Sequence, residues 1–315
     1  MKTASSSSLI SQFLLLSFWF STTLTASILY RMLLTATFFE FPFLIILGLS
    51  AICMGGMQLA KVLLVDFTKS WNISIDAKAL PASFLLSLTI FIDLFSFYAE
   101  STSSKLLQYL MAPIVSIILL KSPGIQRAKI RRNIPVILSI LSTVFTYSAI
   151  KVVDFSSSGM QFGVLLLFVN VANIFTLRKY LKQNEVSKFL FSHFSFLTAF
   201  LFIIELFQHD IHRLVLYINV WQITYFIPIF IGFVICFTLS LVSFCHVITR
   251  FDLSTIAVSL NTISACQFII VNWLYQNVAM KAFYELGFAV NVSAIFAIFV
   301  NISVFWIDVK GRKCF

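Results

Sequence analysis

Ile223 to His246 reads ITYFIPIFIGFVICFTLSLVSFCH, a run without a single Asp, Glu, Lys or Arg. A helix needs about 20 mostly apolar residues to cross hydrocarbon about 30 Å thick, and this run supplies them. Stretches of the same character lie at roughly 10–30, 41–60, 80–99, 103–120, 133–150, 159–177, 189–207, 253–275 and 285–307, each near the spanning length. None alternates apolar and polar residues as a membrane barrel strand does. Helices satisfy every backbone group within their own segment, which lipid demands. The sequence therefore predicts an all-α polytopic membrane protein of ten transmembrane helices.

Composition agrees, because 60% hydrophobic and 11% charged residues over 315 positions leave too little polar surface for a soluble domain. The longest gaps, about 61–79, 121–132 and 208–222, hold no sizeable domain either, so activity is exercised within or across the membrane. The 37 Phe residues read as lipid-facing and packing surface. The apolar run from Leu9 to Tyr30 reads as the first helix and not as a signal peptide: only Lys2 precedes it, it exceeds an h-region in length, and it contains Trp19.

The charges give an orientation. With the N-terminus cytosolic, the cytosolic segments hold Lys2, Lys61, Lys69, Lys78, Lys121, Arg127, Lys129, Arg131, Arg132, Arg178, Lys179, Lys182, Lys188, Arg250, Lys310, Arg312 and Lys313, seventeen of the 22 cations. Arg31, Lys105, Lys151, Arg213 and Lys281 remain for the other face. That asymmetry over short loops predicts an even number of helices with both termini in the cytosol. The net charge of +10 is thereby topological, and nucleic acid is not an expected partner.

Cys53, Cys236, Cys245 and Cys266 fall within helices as small hydrophobes, and Cys314 lies in the tail. They show neither a pairing pattern nor metal-ligand spacing, and His193, His209, His212 and His246 are scattered. No nucleophile elbow, P-loop or metalloprotease motif occurs, so neither an enzyme nor a cofactor is expected. The sequons at Asn72, Asn291 and Asn301 fall in a cytosolic gap or inside the last helix, and none is expected to carry a glycan.

Ten helices divide into two fives, residues 1–155 and 156–315. An odd unit repeated once must lie upside down relative to its copy, which is the inverted-repeat design of many secondary transporters, with the substrate near the midplane.

The run Phe18-Trp19-Phe20, then Ile28-Leu29-Tyr30-Arg31, then Phe41-Pro42-Phe43-Leu44 resembles the opening of the triose-phosphate and nucleotide-sugar transporter family of the drug/metabolite transporter superfamily. Asp154-Phe155, Gly159, Phe162-Gly163, Asn170 and Arg178-Lys179 are similar to its loop and helix six. Ser254-Thr255 with Val258-Ser259-Leu260-Asn261 is similar to its opening of helix nine. The order and spacing of these matches run from about 15 to 307. The chain departs from the family at two lysines that the resemblance would place on the substrate. Pro113 is preceded by Tyr109 and Ala112 where a lysine and an acid are expected, and Ile263 stands in place of the helix-nine lysine. These departures fall on substrate class and leave the fold untouched, since an anion crossing a low-dielectric path needs compensating positive charge.

Within the predicted membrane lies Asp93, whose charge would cost about 2.5–3.5 kcal/mol at the bilayer centre. It is a proton-coupling or site-ordering carboxylate, or a hydrogen-bonded packing residue. Lys105 stands one turn before Tyr109 on the same helix face, and it either substitutes for the missing lysine or snorkels to the interface. Arg31 carries the same two readings. Asn170 and Asn173, Asn261 and Gln267, and Thr22 and Thr25 line single helix faces, as substrate contacts or as interhelical glue. Gly55 and Gly56, like Gly159 and Gly163, are expected where helices approach closely.

The resemblance implies a Golgi or endoplasmic reticulum antiporter that exchanges a cytosolic nucleotide sugar or sugar phosphate for a nucleoside monophosphate. Membrane lipid is its surround and a homodimer is compatible with it. Two rivals stand beside this reading. A seven-helix chemosensory receptor would leave three apolar stretches unused, and a non-transporting relative would keep the fold and bind a membrane partner.

Overall fold

The computed structural model describes residues 6–35, 41–64, 71–98, 157–208, 210–216 and 225–251, together with Ile256, Ser259, Leu260, Ile263 and Cys266. Every regular element among them is helical. In chain order these are α1 (Ser6–Thr35), α2 (Pro42–Leu63), a 3-10 turn (Ala77–Ala79), α3 (Leu80–Tyr98), α4 (Ser157–Leu181), α5 (Val186–Gln208), α6 (Asp210–Leu216) and α7 (Phe226–Arg250). Six of these helices cover the stretches expected at 10–30, 41–60, 80–99, 159–177, 189–207 and 223–246, whereas the short α6 was not anticipated. The stretches at 103–120, 133–150 and 285–307 lie outside the described residues.

Proline marks where helices start. Pro42, Pro81 and Pro228 each sit in a first turn, where the missing N–H breaks no bond and the fixed φ suits the helix. Among the described residues, four helices are long and apolar enough to cross a membrane, beginning at Ser11, Pro42, Val186 and Phe226. Their outward faces agree with lipid as the solvent. Ile227, Ile231, Ile235 and Leu239 form an exposed stripe with a four-residue period on α7, and Phe200, Phe202, Ile203, Leu206 and Phe207 do the same for α5. Water tolerates no such patch on a monomer, whereas lipid does. The chain is a membrane protein.

The fold divides into two compact units, one of Met1–Ile90 with Ala172–Arg250 and one of Phe91–Val171 with Phe251–Phe315. In the second, the described residues are the end of α3, the start of α4, Phe251 and five helical positions, of which Ile256 and Ile263 are buried. The first unit is built on two helix pairs.

α1 packs along α7. Leu16, Trp19, Thr22, Ala26, Tyr30 and Leu33 are buried at spacings of three or four residues, the repeat that holds one stripe of a helix against a partner. Trp19 stacks on Phe244 at 5.3 Å, Thr23 Oγ1 lies 2.7 Å from Ser240 Oγ, and the Tyr30 ring meets Phe233 at 5.4 Å. Numbers rise on one helix as they fall on the other at constant register, so the pair is antiparallel. Thr23 donates its own proton to Trp19 O at 2.7 Å, which leaves Ser240 as donor across the seam. Thr22 bonds back to Phe18 O and Trp19 O, within its own helix. Of the aromatic run in the first helix, Trp19 serves this seam, whereas Phe18 is exposed.

α2 packs on α5, where Thr198 donates to Ser50 Oγ at 2.9 Å, and it also touches α7, where Cys53 Sγ lies 2.9 Å from Thr238 Oγ1. Each such interhelical bond contributes about 0.6 kcal/mol in a bilayer, so shape contributes the rest. Close approach occurs at Gly48 and Gly232, where an added Cβ would stand 3.1 Å from Phe230 Cζ and 3.3 Å from Leu29 Cδ1. It does not occur at Gly55 or Gly56, which are exposed with nothing within 4 Å of an added Cβ, contrary to the expectation for that pair. Their freedom from contact follows from the position of the seams, which lie on the first half of α2. We expect Gly48→Leu to lower stability in detergent by about 1–3 kcal/mol through overpacking against Phe230, while Gly56→Leu changes little. Thermal unfolding of the purified protein checks both.

Chain direction sorts the charges. Loop 71–76 lies on the start of α5, with Asn72 N–H donating to Ser187 Oγ at 3.2 Å, so α2 ends where α5 begins. α7 runs with α2, α1 runs against α7, and Tyr180 at the end of α4 reaches the same loop. Lys61, Lys78, Arg178, Lys179, Lys182, Lys188 and Arg250 consequently gather at one end of this unit, and Arg31 and Arg213 at the other. Lys61, Arg178 with Lys179, and Arg250 stand in the last turns of α2, α4 and α7, where a cation also suits the helix dipole.

Candidate functional site

At the basic end, polar groups from three segments converge on Asp76. The residue precedes the 3-10 turn as its N-cap, and its Oδ1 accepts the Lys78 N–H at 3.0 Å, a common role for Asp at a helix start. Oδ2 accepts the Tyr180 hydroxyl at 3.0 Å and lies 3.0 Å from Lys188 Nζ. The Asp76 N–H donates to Ser192 Oγ at 2.9 Å, and Ser192 donates to its own turn at Lys188 O. Loop 71–79 is thus pinned to α4 and to the first two turns of α5.

The Asp76 side chain is 11% exposed and that of Lys188 25%, so the pair stands at the margin of the protein. The backbone N–H of Lys78, then Lys188 and Tyr180, hold the Asp76 carboxyl below its ordinary value. A depressed acid stabilises the fold above its unfolded pKa of about 3.9 and loses that contribution as pH falls through the lower folded value. Protection of the Lys78 amide, corrected for intrinsic exchange, should therefore hold near neutrality and decline only below about pH 4. Asp76→Asn should weaken protection near neutrality and remove the dependence.

One turn deeper lies a second polar group. Ser83 Oγ and His193 Nδ1 are 3.0 Å apart, at 1% and 0% exposure, and Ser87 donates to Ser83 O at 2.8 Å. The imidazole lies between Phe189 and Phe194, at ring separations of 5.9 and 5.5 Å. Its Nε2 has no partner among the described residues. A buried polar atom left so costs about 1–3 kcal/mol, and a water or ligand group would relieve it.

The residues singled out from sequence are distributed otherwise. Asn170 and Asn173 lie three apart on α4, and Asn173 is 2% exposed with Oδ1 unpartnered among the described residues. Arg31 is half-buried near the end of α1, on the side away from Asp76. Asp93 lies in α3, though its side chain falls outside the described residues, as do Lys105, Tyr109 and Asn261. Ile263, at the place of the family's second lysine, is 4% exposed. Asp76, Lys188, Tyr180 and Ser83 were missed, and His193 was read only as scattered. The available signal was slight, since gap 61–79 holds two acids, Asp66 and Asp76, beside Lys61, Lys69 and Lys78.

At the opposite end, Glu205 accepts the Ile211 N–H at the start of α6, and Arg213 lies 3.7 Å from Asp210. These contacts fix the short helix and form no comparable cluster.

Against known proteins, the chain matches no family model, and no curated protein matches it.

Proposed function

We propose that this protein is a ten-helix secondary transporter with an inverted five-plus-five repeat, which exchanges a nucleotide sugar or sugar phosphate for a nucleoside monophosphate across a Golgi or endoplasmic reticulum membrane. The observation that carries this is the pairing of helices across the two sequence halves. Counted among the ten stretches, α2 and α5 are the second and the seventh, equivalents in the two fives, and a twofold axis between inverted repeats brings such equivalents face to face. α1 and α7 are the first and the eighth, an antiparallel pair whose symmetry mate would be the sixth with the third. The compact units fit the same exchange, since apart from the shared ends of α3 and α4 each is closed under it.

Directions within the first unit agree. α3 leaves the basic end and α4 returns to it, so an even number of crossings belongs between them, and two apolar stretches are available at 103–120 and 133–150. A seven-helix receptor would have to discard both, together with one of the last two. Substrate residues under this reading are Lys105, Tyr109, Asp93, Asn170, Asn173, Asn261 and Arg31, with the basic end in the cytosol.

Uptake into liposomes of purified protein, across a panel of nucleotide sugars and sugar phosphates, tests the proposal. Saturable uptake accelerated by preloaded nucleoside monophosphate is expected. Absence of uptake for every compound, from protein that unfolds cooperatively, would remove the transporter and leave the non-transporting relative.

A further inference from the structure

We propose that the Asp76 cluster is a gate, which closes the basic face of the protein over the buried Ser83–His193 pair and must part for water or substrate groups to reach it. This rests on the transporter reading for its purpose, though its opening is measurable without transport.

Three observations carry the inference. The cluster joins segments from the two sequence halves at one membrane face: loop 71–79 on one side, and Tyr180, Ser187, Lys188 and Ser192 on the other. Rocking of one half against the other has to break contacts of this kind. The ties are also suited to breaking. They are hydrogen bonds and one ion pair beside exposed Asn72, Ser74 and Ile75, and the Asp76–Lys188 pair stands at the margin where water can replace it at small cost. Finally, what the cluster covers is polar. The two layers are consecutive in sequence, because Ser192 takes the Asp76 amide and the next residue, His193, takes Ser83. With the loop down, His193 Nε2 lacks a partner among the described residues, and admission of water would supply one. Closure thus keeps this atom without a partner among the described residues, and opening exposes the Asp76–Lys188 pair to water.

The charged side chains of this layer are Asp76 from the loop and Lys188 from α5, with the neutral Tyr180 hydroxyl of α4 bonded to Asp76, and Lys78 enters through its backbone N–H. Asp76 is the common acceptor and therefore the element to remove.

The test uses the full chain with its five cysteines replaced and Ser83→Cys added. A charged, membrane-impermeant maleimide should label Cys at this 1%-exposed position slowly in the parent. Asp76→Asn and, separately, Lys188→Gln should each speed labelling roughly tenfold by raising the open fraction. Lys182→Gln, an exposed lysine at the same face, should leave it unchanged. Two opening variants guard against one failing to fold, and elution profile with thermal midpoint identifies such a failure. Adding Asn72→Cys and Ser187→Cys supplies a lock, which when oxidised should return labelling in the Asp76→Asn background to the slow rate and stop uptake until reductant is added. Slow labelling in both well-folded variants would overturn the gate, as would uptake undiminished by the oxidised lock. Fast labelling without uptake of any compound in the panel would retain the gate and discard the transport reading.

Discussion

Uptake of a phosphorylated sugar is expected to fall about ten- to a hundredfold in Lys105→Gln, since a charge-assisted hydrogen bond contributes about 1.5–3 kcal/mol and each 1.4 kcal/mol is tenfold. The reasoning begins from two absences. The resemblance to the transporter family expects lysines where Tyr109 and Ile263 stand, and a phosphate in the proposed pathway needs a cation. On the helix expected from sequence at 103–120, Lys105 precedes Tyr109 by four residues, about one turn of 5.4 Å, a distance its flexible stem can cover. Lys105→Arg should retain part of the activity. The decisive arm is Tyr109→Lys in the Lys105→Gln background, which should restore part of the uptake, because misfolding would not be repaired by a charge one turn deeper. Full activity in Lys105→Gln would move attention to Arg31 or show that the cargo is not an anion.

The second large effect is all-or-none. Tags at both termini should be reachable from the cytosol in selectively permeabilised cells, and a tag within 208–222 should be protected. Asn72 adds an internal reporter. It is exposed, and Ser74 of its sequon donates to Asn72 Oδ1 at 2.9 Å, so only its side of the membrane would keep it from glycosylation. It should run unchanged after glycosidase treatment. Termini on opposite faces would overturn the ten-helix topology and restore the receptor.

Much of the fold was legible because hydrocarbon imposes length and apolarity on any spanning helix, and prolines punctuate the starts: six expected stretches return as helices. The charge asymmetry was legible for a related reason, and Lys61, Lys78, Arg178, Lys179, Lys182, Lys188 and Arg250 do share one end. What sequence could not supply was the pairing of helices. Hydropathy marks a lipid-facing Ile231 and a buried Phe233 alike, so nothing in it told that Thr23 would meet Ser240. The glycines show the same limit, since Gly48 is at a seam and Gly56 is not, although either fits the small-residue rule. The Asp76 cluster escaped because its members are separated by 104 to 116 residues and none belongs to a motif.

The antiparallel seam between α1 and α7 has a temporal side. Its partners stand 217 residues apart, so during synthesis the first helix enters the bilayer long before its mate has been translated. Through that interval Trp19, Thr23 and Tyr30 face lipid or the insertion machinery instead of Phe244, Ser240 and Phe233. Membrane insertion and tertiary assembly are thereby separated in time, and the nascent first helix is a client for whatever shields half-finished membrane proteins.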